Sequence, residues 1–282
     1  MMSLKERFIN EGYVVVQGVF TIHELDRLKD AMEKVIVKVK REPLRYITRY
    51  TKKQEDDYDT WGVNNILKPD LYEPAFGDVF GNERLMSILR GILGDELRFW
   101  GAHALWSPDK VNYQLRWHRD YGDNEYYHPG GIPNHVQFNI PLYTDSCFIA
   151  IPGSHRRALT IQEREEVNNN HAHPLPSESQ VSCLPGDVLF MNAHTLHRGA
   201  CNSQDHRRTL HYSVQGKDEM YGGHTSYPEM KEAEYLQRMH PVVRELMTNL
   251  VQWDESHPLS PVEMLRKVRS KKERENYIAG QL

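Results

Sequence analysis

Between residues 97 and 214 the chain repeats one pattern, in which a short apolar run gives way to proline, glycine or asparagine and then to another run. The runs fall at 97–105, 113–117, 136–142, 147–151, 181–184, 188–191 and 208–214. Segments this short, rich in β-branched and aromatic residues and bounded by turn formers, read as strands. Many in succession argue a sandwich or a closed barrel, because only closure or face-to-face packing hides their apolar sides. The flanks read as helix. Thr21 with Glu24 makes a capping box before a stripe of Leu25, Leu28, Met32, Val35, Ile36 and Val39. Asn82 caps a second helix through Leu85, Ile88, Leu89 and Leu93 that stops at Gly94. A short helix ends at Gly12 before the β-branched run 13–16, and Val242, Leu246 and Leu250 start C-terminal helices that extend through 261–265. Residues 41–59 are polar and mixed in charge, which predicts a loop or a lid. Residues 61–80 read as irregular, and 159–170 as a surface excursion. A basic run at 266–274 reads as a solvated helix face.

The chemistry concentrates at Trp117-His118-Arg119-Asp120. On a strand alternate side chains share a face, so His118 and Asp120 present an imidazole and a carboxylate side by side. Among 15 histidines a chance pair is a danger. His171 and His173 are such a pair, but they sit in a loop between 168–170, all asparagine, and Pro174. A third ligand is offered by His194 and by His197, both just past the run that follows Pro185-Gly186-Asp187. Two histidines and one carboxylate leave several positions on a metal open, as in non-haem Fe(II) oxygenases.

Taken with Ile151-Pro152-Gly153-Ser154-His155, the turn Pro185-Gly186-Asp187-Val188-Leu189-Phe190, and His197 followed by Asn202 and Arg208, the chain resembles the phytanoyl-CoA dioxygenase-like (PhyH) branch of the Fe(II)/2-oxoglutarate-dependent oxygenases. The segments come in that family's order and reach to about Tyr212. The resemblance implies a mainly β fold with flanking helices, a double-stranded β-helix (jelly-roll, cupin-like) core. It implies one domain, with a helix-and-strand layer at 1–96, the core at 97–215 and helices at 224–282. It also selects His197 over His194, giving His118, Asp120 and His197 as iron ligands and catalytic centre. Arg208 is implied as the partner of the distal carboxylate of 2-oxoglutarate, through a planar fork that lysine cannot reproduce. Gln114 and Ser213, with Tyr212 and Asn112, are candidates for further hydrogen bonds to that cosubstrate.

The activity implied is hydroxylation of an aliphatic carbon with O2 as second cosubstrate and release of succinate and CO2. The presence of Asp120 argues against halogenation, which in related enzymes needs a small residue there. A non-catalytic jelly-roll protein that binds a metal or small ligand is the alternative. Two departures from the family stand out: Arg119 replaces a frequent glutamine, and Asp145-Ser146-Cys147-Phe148 replaces an Asn-Gly-rich turn. Arg119, Tyr121, Tyr126 and Tyr127 flank the ligand segment and are the candidate substrate contacts, with Arg119 suited to an acidic substrate.

A net charge of -4 gives no basic footprint for nucleic acid or an anionic membrane, so a small molecule is the expected partner. Three cysteines without a C-x-x-C spacing suggest neither disulfides nor a thiolate metal site, hence a reducing, cytoplasmic setting. No stretch approaches a membrane span, and either a monomer or a homodimer is expected.

Overall fold

Two antiparallel sheets face each other in the computed structural model, which describes residues 2–54, 57–120, 124–217, 219–220 and 224–262. The larger has seven strands: β1 (Tyr13–Val16), β2 (Thr48–Gln54), β3 (Asp57–Asn64), β4 (Leu97–Trp106), β6 (His135–Pro141), β9 (Val188–Asn192) and β11 (Arg208–Gly216), in the order β1-β9-β6-β11-β4-β3-β2. The smaller runs β5-β10-β7-β8, from β5 (Tyr113–Gln114), β7 (Asp145–Ala150), β8 (Ser179–Cys183) and β10 (His197–Cys201). This is the jelly-roll core the sequence predicts.

Alternation divides the large sheet into an oily and a polar face. Val136, Phe138 and Ile140 of β6 and Leu210, Tyr212 and Val214 of β11 join one buried cluster with the helices. Phe138 stacks on Tyr212 at 5.3 Å, and Phe80 meets both rings edge-on. The helices on this face are α2 (Ile22–Arg41), whose capping box and buried stripe are those expected, α4 (Glu83–Leu93), capped by Asn82, and α6 (Pro241–Ser256). On the other face Gln137, Asn139, Thr209, His211 and Ser213 look toward the small sheet. Helix α1 (Leu4–Glu11) ends at Gly12 in the left-handed region (φ 82°), where a Cβ would collide with Thr195 and His155.

Several expectations are corrected. Residues 41–59 are no free loop or lid: β2 and β3 form a hairpin, with Thr48 opposite Val63 and Arg49 opposite Gly62, that widens the large sheet. The segment is polar because β2 is the sheet edge, where charged residues discourage further pairing. The 61–80 stretch ends β3 and then forms a short helix α3 (Pro74–Asp78) opened by its proline. The 159–170 excursion contains helix α5 (Ile161–Asn168), capped by Thr160 and Glu163. It covers the outside of the small sheet, burying Leu159, Val167 and Leu175 against Trp117 and Ile149. The basic run at 266–274 lies outside the described residues. No helix among them is long and apolar enough to cross a membrane.

Candidate active site

His118 and His197 face each other as a bridged antiparallel pair, each backbone N–H donating to the other's carbonyl at 2.9 and 3.0 Å. Their rings lie 4.3 Å apart. Asp120 is locked two residues on, its N–H donating to the Ala193 carbonyl at 2.9 Å. Trp117, wholly buried, anchors the segment from behind through an indole hydrogen bond of 2.8 Å to the His173 carbonyl. On the other ligand the Pro-Gly-Ser-His segment supplies the brace, since Ser154 Oγ accepts the Leu196 N–H at 2.8 Å. One donor atom each from His118, Asp120 and His197 then falls within 4.8 Å of the others.

This donor set fits a divalent iron. His118 Nδ1 lies 2.8 Å from the Arg116 carbonyl and His197 Nδ1 2.9 Å from the Thr195 carbonyl. A carbonyl can only accept, so each Nδ1 carries the proton and each Nε2 keeps a free lone pair. Burial lowers both imidazoles to about 4, reinforced at His118 by the neighbouring His197, so both are neutral ligands. Burial pushes the Asp120 carboxyl up, against the pull of His118 and Arg49. A dication resolves that cost directly.

Of the neighbours Arg207 and Arg208, the one that turns inward is not the one the resemblance implies. Arg208 is on the helix side of β11, where Nε donates to Glu33 of α2 at 2.6 Å, so it does not enter the space between the sheets. Arg207, only 4% exposed, does. Its Nε donates to Asp145 Oδ2 at 2.9 Å, Nη1 to the Tyr113 hydroxyl, and Nη2 to His211 Nε2 at 3.4 Å. Thr209 also donates to Asp145. Burial alone would raise the Asp145 carboxyl, but Arg207 and Thr209 hold it well below the usual carboxylate range. The Asp145 departure from the family pattern thus matches an arginine that needs a carboxylate beside it.

Of the other candidates, Ser213 is buried on the inner face between Gln137 and Gly101. Tyr212 points the opposite way, into the helix-side core, and Asn112 receives the Ser203 N–H. Gln114 is corrected: it is exposed, on the outside of the small sheet, and donates to the Ala172 carbonyl. Arg119 is corrected too. It is 1% exposed, and its guanidinium donates to the carbonyls of Asn124, Tyr126, Ser154 and Arg157 at 2.7–3.0 Å, clamping loops together. Tyr127 lies beside that guanidinium, Tyr126 packs on His194 at 4.4 Å, and Tyr121 lies outside the described residues. His194 is buried away from the three-ligand cluster. His171 and His173 meet Glu166 at an exposed loop.

Sequence reading missed the polar row lining the inner face. Asn64, His103, His211 and Asn139 lie opposite one another across β3, β4, β11 and β6. Arg49 of the hairpin joins them, its Nε donating to Asn64 Oδ1 at 3.0 Å. The alternation Thr209, His211, Ser213 carried the signal for β11; nothing pointed to Arg49.

Two facing sheets with two imidazoles and one carboxylate gathered between them are the frame and donor set of a non-haem iron centre. Residues 8–210 match the phytanoyl-CoA dioxygenase (PhyH) family, and the chain belongs to that family. Similar proteins include an ectoine dioxygenase of Stutzerimonas stutzeri (strain A1501), 25% identical over 69% of this chain and 70% of the relative. A probable alpha-ketoglutarate-dependent hypophosphite dioxygenase of Stutzerimonas stutzeri is 18% identical over 72% and 74%. Among solved structures, iron-bound EctD from S. alaskensis superposes with a TM-score of 0.59 at 16% identity, covering 77% of each chain. HygX from Streptomyces hygroscopicus with nickel and 2-oxoglutarate gives 0.53 at 20% identity, covering 74% of this chain and 84% of that one. The protein is a 2-oxoglutarate-dependent non-haem iron dioxygenase using O2.

Proposed function

We propose that this dioxygenase hydroxylates an aliphatic carbon of a small-molecule substrate, with release of succinate and CO2. The observation that carries this reading is the triad: two neutral imidazoles with free Nε2 atoms and one carboxylate within 4.8 Å, an arrangement that holds iron from one side only. Because Asp120 is a carboxylate, no ligand position is vacated for a halide, which favours hydroxyl transfer. The chemistry supplied there by bound iron is O2 activation coupled to oxidative decarboxylation of the cosubstrate.

In this reading the protein's own residues bind, orient and keep out water. His118, Asp120 and His197 hold the metal, and Arg207 takes the role that the resemblance gave to Arg208. Its guanidinium, kept in place by Asp145 and Tyr113, meets the distal carboxylate of 2-oxoglutarate, with Ser213 on the same face. Phe148 and Leu189, packed between the sheets, keep one flank of that space apolar. Anaerobic titration of the Fe(II) protein with 2-oxoglutarate tests the assignment. The expected result is a weak visible charge-transfer band, followed under O2 by substrate-dependent succinate release across a panel of small molecules. A protein that binds metal but gives no band and no succinate with any of them is a binding module, and the reading fails.

A further inference from the structure

The inner face carries a second arginine that the metal and the Arg207 pair leave over. Arg49 reaches this face because its partner across the hairpin is Gly62. A Cβ on Gly62 would sit 3.3 Å from Arg49 Cδ and 3.0 Å from the Ala104 carbonyl, so the absent side chain is the room through which the arginine stem passes. Asn64 Oδ1 then receives Nε and is its one hydrogen-bond partner among the described residues. That leaves Nη1 and Nη2, the pair of donors suited to a carboxylate or phosphate.

The surroundings demand an anion. Arg49 lies close enough to Asp120, Tyr113 and Arg207 to be acted on by all three, while burial lowers its pKa from the ordinary arginine value. Arg49, His103 and His211 are each only partly buried, so this end of the polar row is not closed over by other side chains. His103 is held down to about 3 by burial and by Arg49, and His211 is also lowered, so neither adds positive charge. Asp145 answers Arg207, and Asp120 is committed to the metal. Arg49 is therefore the cation on this face without a committed counter-charge among the described residues, and a buried charge is costly until it is paired. Asn139, on the same row and 4% exposed, leaves its Oδ1 without a partner, a further polar group awaiting a ligand.

We propose that Arg49 is an anion-binding residue of the polar inner face near Asp120, seating a carboxylate or phosphate oxygen of a bound small molecule. Resting on the oxygenase reading, it replaces Arg119 as the source of anion selectivity. Two molecules can bring that anion, the cosubstrate or the primary substrate. The experiment compares the wild-type Fe(II) protein with Arg49→Gln and Arg49→Lys, each first shown by thermal melting to be folded. Anaerobic 2-oxoglutarate titration is the first arm. The second adds inorganic phosphate, then acetate, to the anaerobic Fe(II)·2-oxoglutarate protein and follows binding by calorimetry.

A loss of 2-oxoglutarate affinity of at least tenfold in Arg49→Gln, partly restored in Arg49→Lys, assigns the anion to the cosubstrate. Unchanged 2-oxoglutarate affinity, with anion binding in wild type that Arg49→Gln loses, assigns it to the primary substrate. If Arg49→Gln alters neither, the proposal is overturned. If the wild type itself gives no charge-transfer band, it is the oxygenase reading that has failed.

Discussion

Arg207 meets Asp145 at 2.9 Å between the two sheets, and both side chains are almost wholly out of solvent, at 4% and 8% exposure. One residue later Arg208, the first of β11, points the opposite way and pairs with the half-exposed Glu33. The first pair is expensive to break, because either partner left alone is a buried charge. The second is a surface pair of the kind worth about 0–1 kcal/mol.

Replacing Asp145 by asparagine should lower stability at pH 7 by about 3–5 kcal/mol, read from denaturant midpoints of the metal-free protein. The pH dependence has a definite sign. The Asp145 carboxyl is depressed in the folded state, so its stabilisation is fully present above the unfolded aspartate value of about 3.9 and is lost as pH falls below it. The gap between wild type and Asp145→Asn should therefore narrow in acid. A gap that is constant from pH 7 to 3 contradicts the pairing.

Arg119→Gln should act on stability. The guanidinium donates to four carbonyls on loops 124–126 and 154–157, and a buried acceptor left unsatisfied costs about 1–3 kcal/mol. A drop of several degrees in melting temperature is expected. A variant as stable as wild type but altered in substrate preference would return Arg119 to the binding site.

His118→Ala, Asp120→Ala and His197→Ala should each remove iron from the purified protein while the far-ultraviolet circular dichroism stays native, since the sheets are held by their own strand ladders and by buried apolar clusters away from the three residues. His194→Ala should keep stoichiometric iron. Chelation should lower the melting temperature by an amount that grows with the logarithm of metal affinity and be reversed by Fe(II), as linkage requires. Iron retained by His197→Ala and lost by His194→Ala reverses the assignment.

Much of this was legible in the chain. Short runs between turn formers gave the strands, and the capping boxes at Thr21 and the stop at Gly94 bounded helices that the structure contains. The triad was legible because an H-x-D pair and a later histidine were tied to turns in a known order. The arginine was not: Arg207 and Arg208 are chemically identical, and a loop one residue shorter or longer turns the other one inward. The β2–β3 hairpin was hidden by its polarity, which edge position explains, and Arg49 was hidden with it. Helix α5 lacked an apolar stripe, although Thr160 and Glu163 spelled its capping box. Arg119 misled because a cation beside a ligand strand reads as a binding group until its four carbonyl partners are seen.

The direct test of the account is anaerobic titration of 2-oxoglutarate into the Fe(II) forms of wild type, Arg207→Lys and Arg208→Lys, followed through the charge-transfer band. Lysine keeps the charge but loses the fork that binds a carboxylate with two parallel hydrogen bonds. Arg207→Lys should raise the half-saturating concentration on the order of a hundredfold, at about 1.4 kcal/mol per decade, and Arg208→Lys should leave it within about threefold of wild type. A large shift in Arg208→Lys with wild-type behaviour in Arg207→Lys would contradict the assignment of the inward-facing arginine and the cosubstrate site built on it.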